Sequence, residues 1–421
     1  MITLITKSRY VSLILYFILA AGILEAQIIS FGLKSAPDNL TVTFNGEILR
    51  PVSASSGIRN FNISGNGILH FSSSGYKNIE YRVEALPLKN GLLEIKLELE
   101  NGIFERIGEY PTGVQPKSAF FTPDGRRIIV PLLGQRGVDV FRLLELDNFT
   151  YLFFEKRLAV PGSNAAGFVE AKIDERRREI WVSNMEENMV HIFDLDSLDY
   201  KISLETGGIF PKVITQNQTG TLTVVSNWIS CDISIFDSET KTLLHRIPVG
   251  GTPRGMAFSS DGRFLYIAIY DEPVITVIDM IQNRVISSFR LYEGQGAARH
   301  IIYHEGKLYV SDMFRGTVNV LNASTGTLLL SRRIGPNINT IVLSTDGDYL
   351  FASSRGRNNP EDYTKAGPDF GAIYMLRTSD LSLVERVWGR NQPTGLALSP
   401  NGKYLVFTNF LDANLELYRR R

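Results

Sequence analysis

Four cations, one carboxylate and one imidazole are the residues of this chain whose recurring spacing could do chemistry. Seven degraded copies of one segment, clearest from Val249 to Phe289, superpose on a landmark held by Pro116, Phe168, Pro211, Pro253, Ala298, Ile338 and Pro393. The next residue is Lys117, Val169, Lys212, Arg254, Arg299, Asn339 or Thr394, a set with four cations and no acid. One step further, Glu170 and His300 are the only acid and imidazole. A carboxylate or imidazole there could activate water, and guanidinium groups could stabilise the oxyanion of a carbonyl under attack. The same cations could instead hold an anionic or carbonyl-rich ligand with no reaction at all.

A second set pairs a small polar residue with a bulky one at matching points of the repeat: Asn184-Met185, Asn227-Trp228, Asp312-Met313, Ser354-Arg355 and Asn409-Phe410, with Ile269-Tyr270 as the apolar variant. Hydrogen-bonding groups beside stacking surfaces suit a sugar, a peptide or a flat organic ligand. The candidate ligand contacts are therefore Asn184, Asn227, Trp228, Tyr270, Asp312, Arg355, Asn409 and Phe410, added to Lys117, Lys212, Arg254 and Arg299. The competing reading has the asparagines cap strand ends and the aromatics pack between repeats. No metal is expected, because none of His70, His191, His245, His300 and His304 is spaced from Cys, Asp or Glu as a zinc or iron ligand would be. No cofactor is expected either. The single cysteine, Cys231, excludes CxxCH haem attachment and any disulfide within the chain, and reads as a small buried hydrophobe.

The elements that must position these groups are short strands. GMAFSS and FLYIAIY are joined by Ser260-Asp261-Gly262-Arg263, and PVITVIDM and RVISSFRL follow, giving four strands and three turns per copy. The turn returns as Pro123-Asp124-Gly125, Thr345-Asp346-Gly347 and Pro400-Asn401-Gly402. A four-stranded unit recurring every 40 to 55 residues or so predicts an all-β, seven-bladed propeller. The inner strand of each blade then lines a central channel, and the landmark residues ring one mouth. The last copy lacks a fourth strand, whereas GIFERIGEY before Pro116 matches LVERVWGRN before Pro393. Ile103–Ile107 is thus expected to pair with the last blade and close the ring, since an unpaired edge invites aggregation.

Gly250…Pro253-Arg254-Gly255, Asp261-Gly262, Leu265–Ala268 and Val277–Asp279, with echoes in IWVSN, LYVSD and HIFD, resemble the YVTN-type β-propeller repeats, to which the lactonase-like seven-bladed propellers are also similar. That resemblance covers about three quarters of the chain and speaks to fold, because propellers host unrelated activities. Similar lactonase-type propellers use acid, imidazole and arginine groups near the channel, which is what Glu170, His300, Arg254 and Arg299 would supply. Residues 27–102 do not follow the repeat; NLTVTFNG, GILHFSSSGY, EYRVEALPL and LLEIKLELE predict a small β-sandwich. Val42–Gly46, Gly75-Tyr76 and the Leu93–Leu99 strand make it similar to a PEGA-type surface domain.

Lys7 and Arg9 precede an apolar run from Val11 to Leu24, short for a membrane span, with Ala26 before a cleavage point. Residues 1–26 read as a signal peptide, with an uncleaved N-terminal anchor as the alternative. The domains expected are 1–26, 27–102 and 103–421. Lys plus Arg equals Asp plus Glu at 44 each, so no net field steers the chain toward nucleic acid or a membrane surface. The sum is an exported, extracytoplasmic, monomeric binding scaffold. The enzymatic alternative is a lactone hydrolase or related lyase using Glu170 and His300. An insertion, Arg357–Gly371, falls between the second and third strands of the sixth copy and should overhang the same mouth.

Overall fold

The computed structural model describes residues 28–421 apart from 147 and 148, so the signal-peptide reading lies outside the described residues. Two compact units divide between Leu97 and Glu98. The first holds two four-stranded sheets. One contains Ser53–Ser55, Ile58–Ser64, Ile28–Ala36 and Leu92–Lys96 in that order, and the other contains Glu47–Ile48, Thr41–Phe44, Ile68–Ser72 and Ile79–Arg82. Phe31, Leu33, Phe61, Leu69, Phe71 and Leu93 fill the space between them. The expected EYRVEALPL strand is cut short, because Val83–Ala85 turns into a single 3-10 turn. Ile28–Ala36 and Ile58–Ser64 escaped the sequence reading altogether: a run such as IISFGLKSA lacks strict alternation, since its second half is buried on both faces.

The second unit is a ring of seven four-stranded antiparallel sheets. Strand alternation explains how one sequence repeat serves two neighbours. In the fourth blade, Leu265, Ile267 and Ile269 pack toward the third blade, while Tyr266 and Ala268 pack toward the fifth. Each buried Leu or Ile contributes roughly 1.5–3 kcal/mol, and the core is accordingly a chain of inter-blade interfaces. The turns follow from local chemistry: Gly262 takes φ 71°, while Asp261 accepts hydrogen bonds from the Ser259 hydroxyl at 2.5 Å and the Arg263 amide at 3.0 Å. At the third turn, Asp194, Asp237, Asp279 and Asn322 each accept from two following backbone amides. Cys231 departs from the sequence reading. It is half-buried at φ 55°, in the turn between second and third strands, because that turn needs a left-handed residue.

The seventh blade is Pro393–Leu398, Tyr404–Asn409, Asn414–Arg420 and, from the other end of the unit, Phe104–Pro111. That strand runs further than Ile103–Ile107, to Tyr110 opposite Leu415 and Pro111 opposite Asn414. Glu385, on the outer strand of the sixth blade, accepts the backbone amides of Ile103 and, at 3.2 Å, Phe104. Arg106 donates to Glu109 at 2.9 Å and Glu416 at 3.3 Å. Deleting residues 101–111 is expected to abolish cooperative melting and produce aggregates by size-exclusion chromatography. The milder Glu385→Ala should cost about 1–3 kcal/mol by leaving two amides unpartnered, read as a lower calorimetric melting temperature.

Candidate functional site

The site is built by an irregularity in the inner strands. Pairing with the second strand skips from Phe168 to Ala171, Pro211 to Ile214, Pro253 to Met256, Ala298 to His300, Ile338 to Ile341 and Pro393 to Leu396. A bulge re-aims the residues it contains, and these are the ones holding Lys212, Arg254 and Arg299. A hydroxyl supports each of these bulges except that of the fourth blade, which has Ala268 at the matching place. The amide of Val213 donates to Ser226 Oγ at 3.0 Å, and Ser226 donates to the Arg254 carbonyl of the next blade at 3.2 Å. The same relay runs from Glu170 through Ser183 to Lys212 (3.2 and 2.6 Å), from His300 through Ser311 to Asn339 (3.1 and 2.7 Å), and from Gly395 through Thr408 to Pro116 (2.9 and 3.1 Å). Inner strands crowd here: a Cβ on Gly255 would meet the Arg299 carbonyl and His300 Cα at 2.8 Å.

The cations converge. Lys117, Lys212, Arg254 and Arg299 act on one another and on Glu170 electrostatically, and Arg355 acts on Lys117 and Arg299; Arg254, Arg299 and Arg355 are only 5%, 7% and 6% exposed. An aromatic collar covers them. Lys212 lies 4.9 Å from the Phe210 ring and 5.4 Å from Trp228, Arg254 lies 5.4 Å from Trp228, and Arg299 lies 6.0 Å from Tyr270. Trp228 and Tyr270 are 4.7 Å apart, while Lys117 and Arg355 flank Phe410 at 4.9 and 5.6 Å. The insertion reaches this collar: Tyr363 sits 5.9 Å from Arg355, and its carbonyl accepts from Gln392, which in turn accepts from Arg355.

Burial dominates the electrostatics. It pushes Lys212 down to about 6, with the Arg254 and Arg299 charges adding to the effect. It also lowers Arg355 to about 10 and His300 to about 4, and holds Lys117 well below the usual lysine range. Glu170 moves the other way, up to about 7, because burial outweighs the arginines and lysines that pull it down. Hydrogen-bond capacity is left over. Arg254 Nη1, Arg355 Nε and His300 Nδ1 are buried without a partner among the described residues, and Lys212 reaches only the Met185 sulfur at 2.8 Å. Unmatched donors in a charged channel favour an anion.

Glu170 and His300 line one cavity of about 300 Å3. Trp228, Tyr270, Arg355 and Phe410 join the cations at the collar. Asn184, Asn227, Asp312 and Asn409 do not: all are fully buried and bound within their own blades. Asn184 accepts the amides of Glu186 and Glu187, Asn227 donates to Asp232 and Ser234, Asp312 accepts the Ala297 and Arg315 amides, and Asn409 accepts the Arg390 amide. These four are corrected to structural groups. The residue before each, Ser183, Ser226, Ser311 or Thr408, is the functional support that the sequence reading passed over, and its recurrence in that place was the available signal. His191 bonds Glu187 at 3.0 Å and Ser203 at 2.7 Å, but on the third and outer strands, with Ser203 also tied to the Tyr200 hydroxyl at 2.8 Å. Among the described residues no cluster of His, Cys, Asp and Glu could hold a metal ion.

A ring of seven four-stranded antiparallel sheets is a seven-bladed β-propeller. The family model described as "Lactonase, 7-bladed beta-propeller" matches residues 282–421. Antigen Lp49 of Leptospira interrogans is 35% identical over 364 residues, 84% of this chain and 77% of that one. A 6-phosphogluconolactonase of Formosa agariphila is 22% identical over 309 residues, 65% of this chain and 78% of that one. The chain belongs to one family with antigen Lp49, and its last third matches the lactonase propeller model.

Replacing Ser226 by Ala removes both halves of one relay. It is expected to cost about 1–3 kcal/mol of stability, measured by urea unfolding, and to loosen Arg254 so that sulfate protects the variant against heating less than it protects the parent protein.

Proposed function

We propose that the protein is an extracytoplasmic recognition propeller that binds an anionic or carbonyl-rich ligand at the collar-bearing mouth of its channel. The observation that carries this reading is the pair of buried, unpartnered donors on Arg254 and Arg355 inside a group of cations with one carboxylate among them. A buried charge without a partner is costly, and an anion would satisfy it. Export rests on the Val11–Leu24 run and on the PEGA-like character of residues 27–102, and a relative described as an antigen is compatible with it. No helix among the described residues is long and apolar enough to cross a membrane.

A second reading, lactone hydrolysis, is favoured by one observation: Glu170 and His300 share a cavity beside arginines, and a distant relative is described as a 6-phosphogluconolactonase. Neutral His300 could accept a proton from water, and Arg254 or Arg299 could stabilise the resulting oxyanion. Binding is preferred because the aromatic collar and the insertion add recognition surface that water activation does not need.

Calorimetric titration with sulfate, phosphate and carboxylates tests the binding reading. Arg254→Ala and Arg299→Ala should each weaken binding about tenfold or more, since charge-assisted hydrogen bonds contribute roughly 1.5–3 kcal/mol. No heat from any anion in the wild-type protein would overturn it. The pH dependence has a defined sign. Glu170, at about 7, loses its negative charge as pH falls, and Lys212, at about 6, gains a positive one; affinity should therefore rise from pH 8 to pH 5.5. Glu170→Gln should flatten the upper part of that profile. Turnover of 6-phosphogluconolactone that falls about a hundredfold or more in both Glu170→Gln and His300→Ala would establish the hydrolase instead.

A further inference from the structure

The channel changes character along its axis. Four of the seven residues one step past the landmark are cationic, whereas those four or more steps past it are apolar on the side formed by the sixth, seventh and first blades. There Phe120, Phe121, Val342 and Leu398 stand half-buried around the cavity of about 300 Å3 that Glu170 and His300 also line. These side chains reach the cavity from the edges of the inter-blade clusters, so they present apolar surface held in place from behind. The charges of Arg254 and Arg299 act on both Glu170 and His300, so the cationic mouth and the apolar cavity adjoin.

A purely polar anion would leave that apolar surface wet, and an apolar ligand would leave the arginines unmatched. We propose that the channel takes a single-tailed amphiphilic anion, its head among Lys212, Arg254 and Arg299 and its tail running past His300 into the cavity walled by Phe120, Val342 and Leu398. This rests on the anion-site reading and adds the ligand class to it. The collar is rich enough in donors for either a carboxylate or a phosphate head. Taking about 30 Å3 for a water-sized group, the cavity holds about ten methylene-sized groups, which sets the tail length.

The test is titration calorimetry of the full chain with straight-chain carboxylates from acetate to dodecanoate, with the matching alkyl phosphates, and with alkylammonium ions as a charge-reversed control. Affinity is expected to rise about fourfold per methylene, at a stoichiometry of one, and to level off at about ten carbons. Both anionic series rising, or only one, supports the proposal and identifies the head. A flat chain-length profile with measurable binding of the short anions overturns the amphiphile while leaving the anion site standing; silence from every anion removes both. An equal slope for alkylammonium ions also overturns it, since that reports undirected apolar binding. Val342→Asn should flatten the slope of both anionic series, and the wild-type series stands as the deciding measurement if that variant fails to fold.

Discussion

Everything in the channel depends on a hydroxyl relay between neighbouring inner strands. A bulge frees an amide that the second strand can no longer pair, and a buried unpaired amide costs about 1–3 kcal/mol. The serine or threonine near the end of the second strand accepts that amide and passes its own proton to a carbonyl of the next blade, from Ser183 to Lys212, Ser226 to Arg254, Ser311 to Asn339 and Thr408 to Pro116. The bulge, the blade contact and the orientation of the cation are thereby fixed by one group. The fourth blade has Ala268 at this place, and there the glycine at 255 lets the strands touch directly instead.

Rigid support is what allows like charges to be held together. Lysine and arginine side chains would ordinarily swing apart into water, but here aromatic faces flank them and the relays hold the backbone beneath them. The result is a site whose protonation is tuned by dehydration: Lys212 falls to about 6 and Glu170 climbs to about 7. Such a site is expensive to keep empty of counter-charge.

The blades were legible in the sequence because each copy carries its own turn chemistry and its own alternation, and both are local. Pro253-Arg254-Gly255 and its relatives also gave Lys117, Lys212, Arg254 and Arg299 equivalent places in their blades, since register in a propeller follows the repeat. What escaped was whatever depends on the pleat being interrupted. Asn184, Asp312 and Asn409 turn into their own blades because a small polar side chain next to a turn finds a backbone amide before it finds a ligand, and Asn227 does so by donating to the Asp232 and Ser234 side chains. Arg355 and Phe410, one residue past such positions, do reach the collar. The N-terminal strands were harder to read for the opposite reason: IISFGLKSA is buried on both faces along its second half, and the two-residue period disappears.

The seam of the ring has a kinetic meaning. Phe104–Pro111 pairs with Asn414–Arg420, contacts separated by roughly the length of the whole unit. All other blades are hairpins of high local order that can form as the chain lengthens, whereas this pairing has the largest loop-closure entropy in the molecule and raises its contact order. Until the last strand is available, the first and last blades each expose an edge and an apolar face. The unit therefore reaches its native shape in a single late step, and any device that delays the final residues holds the entire circle open.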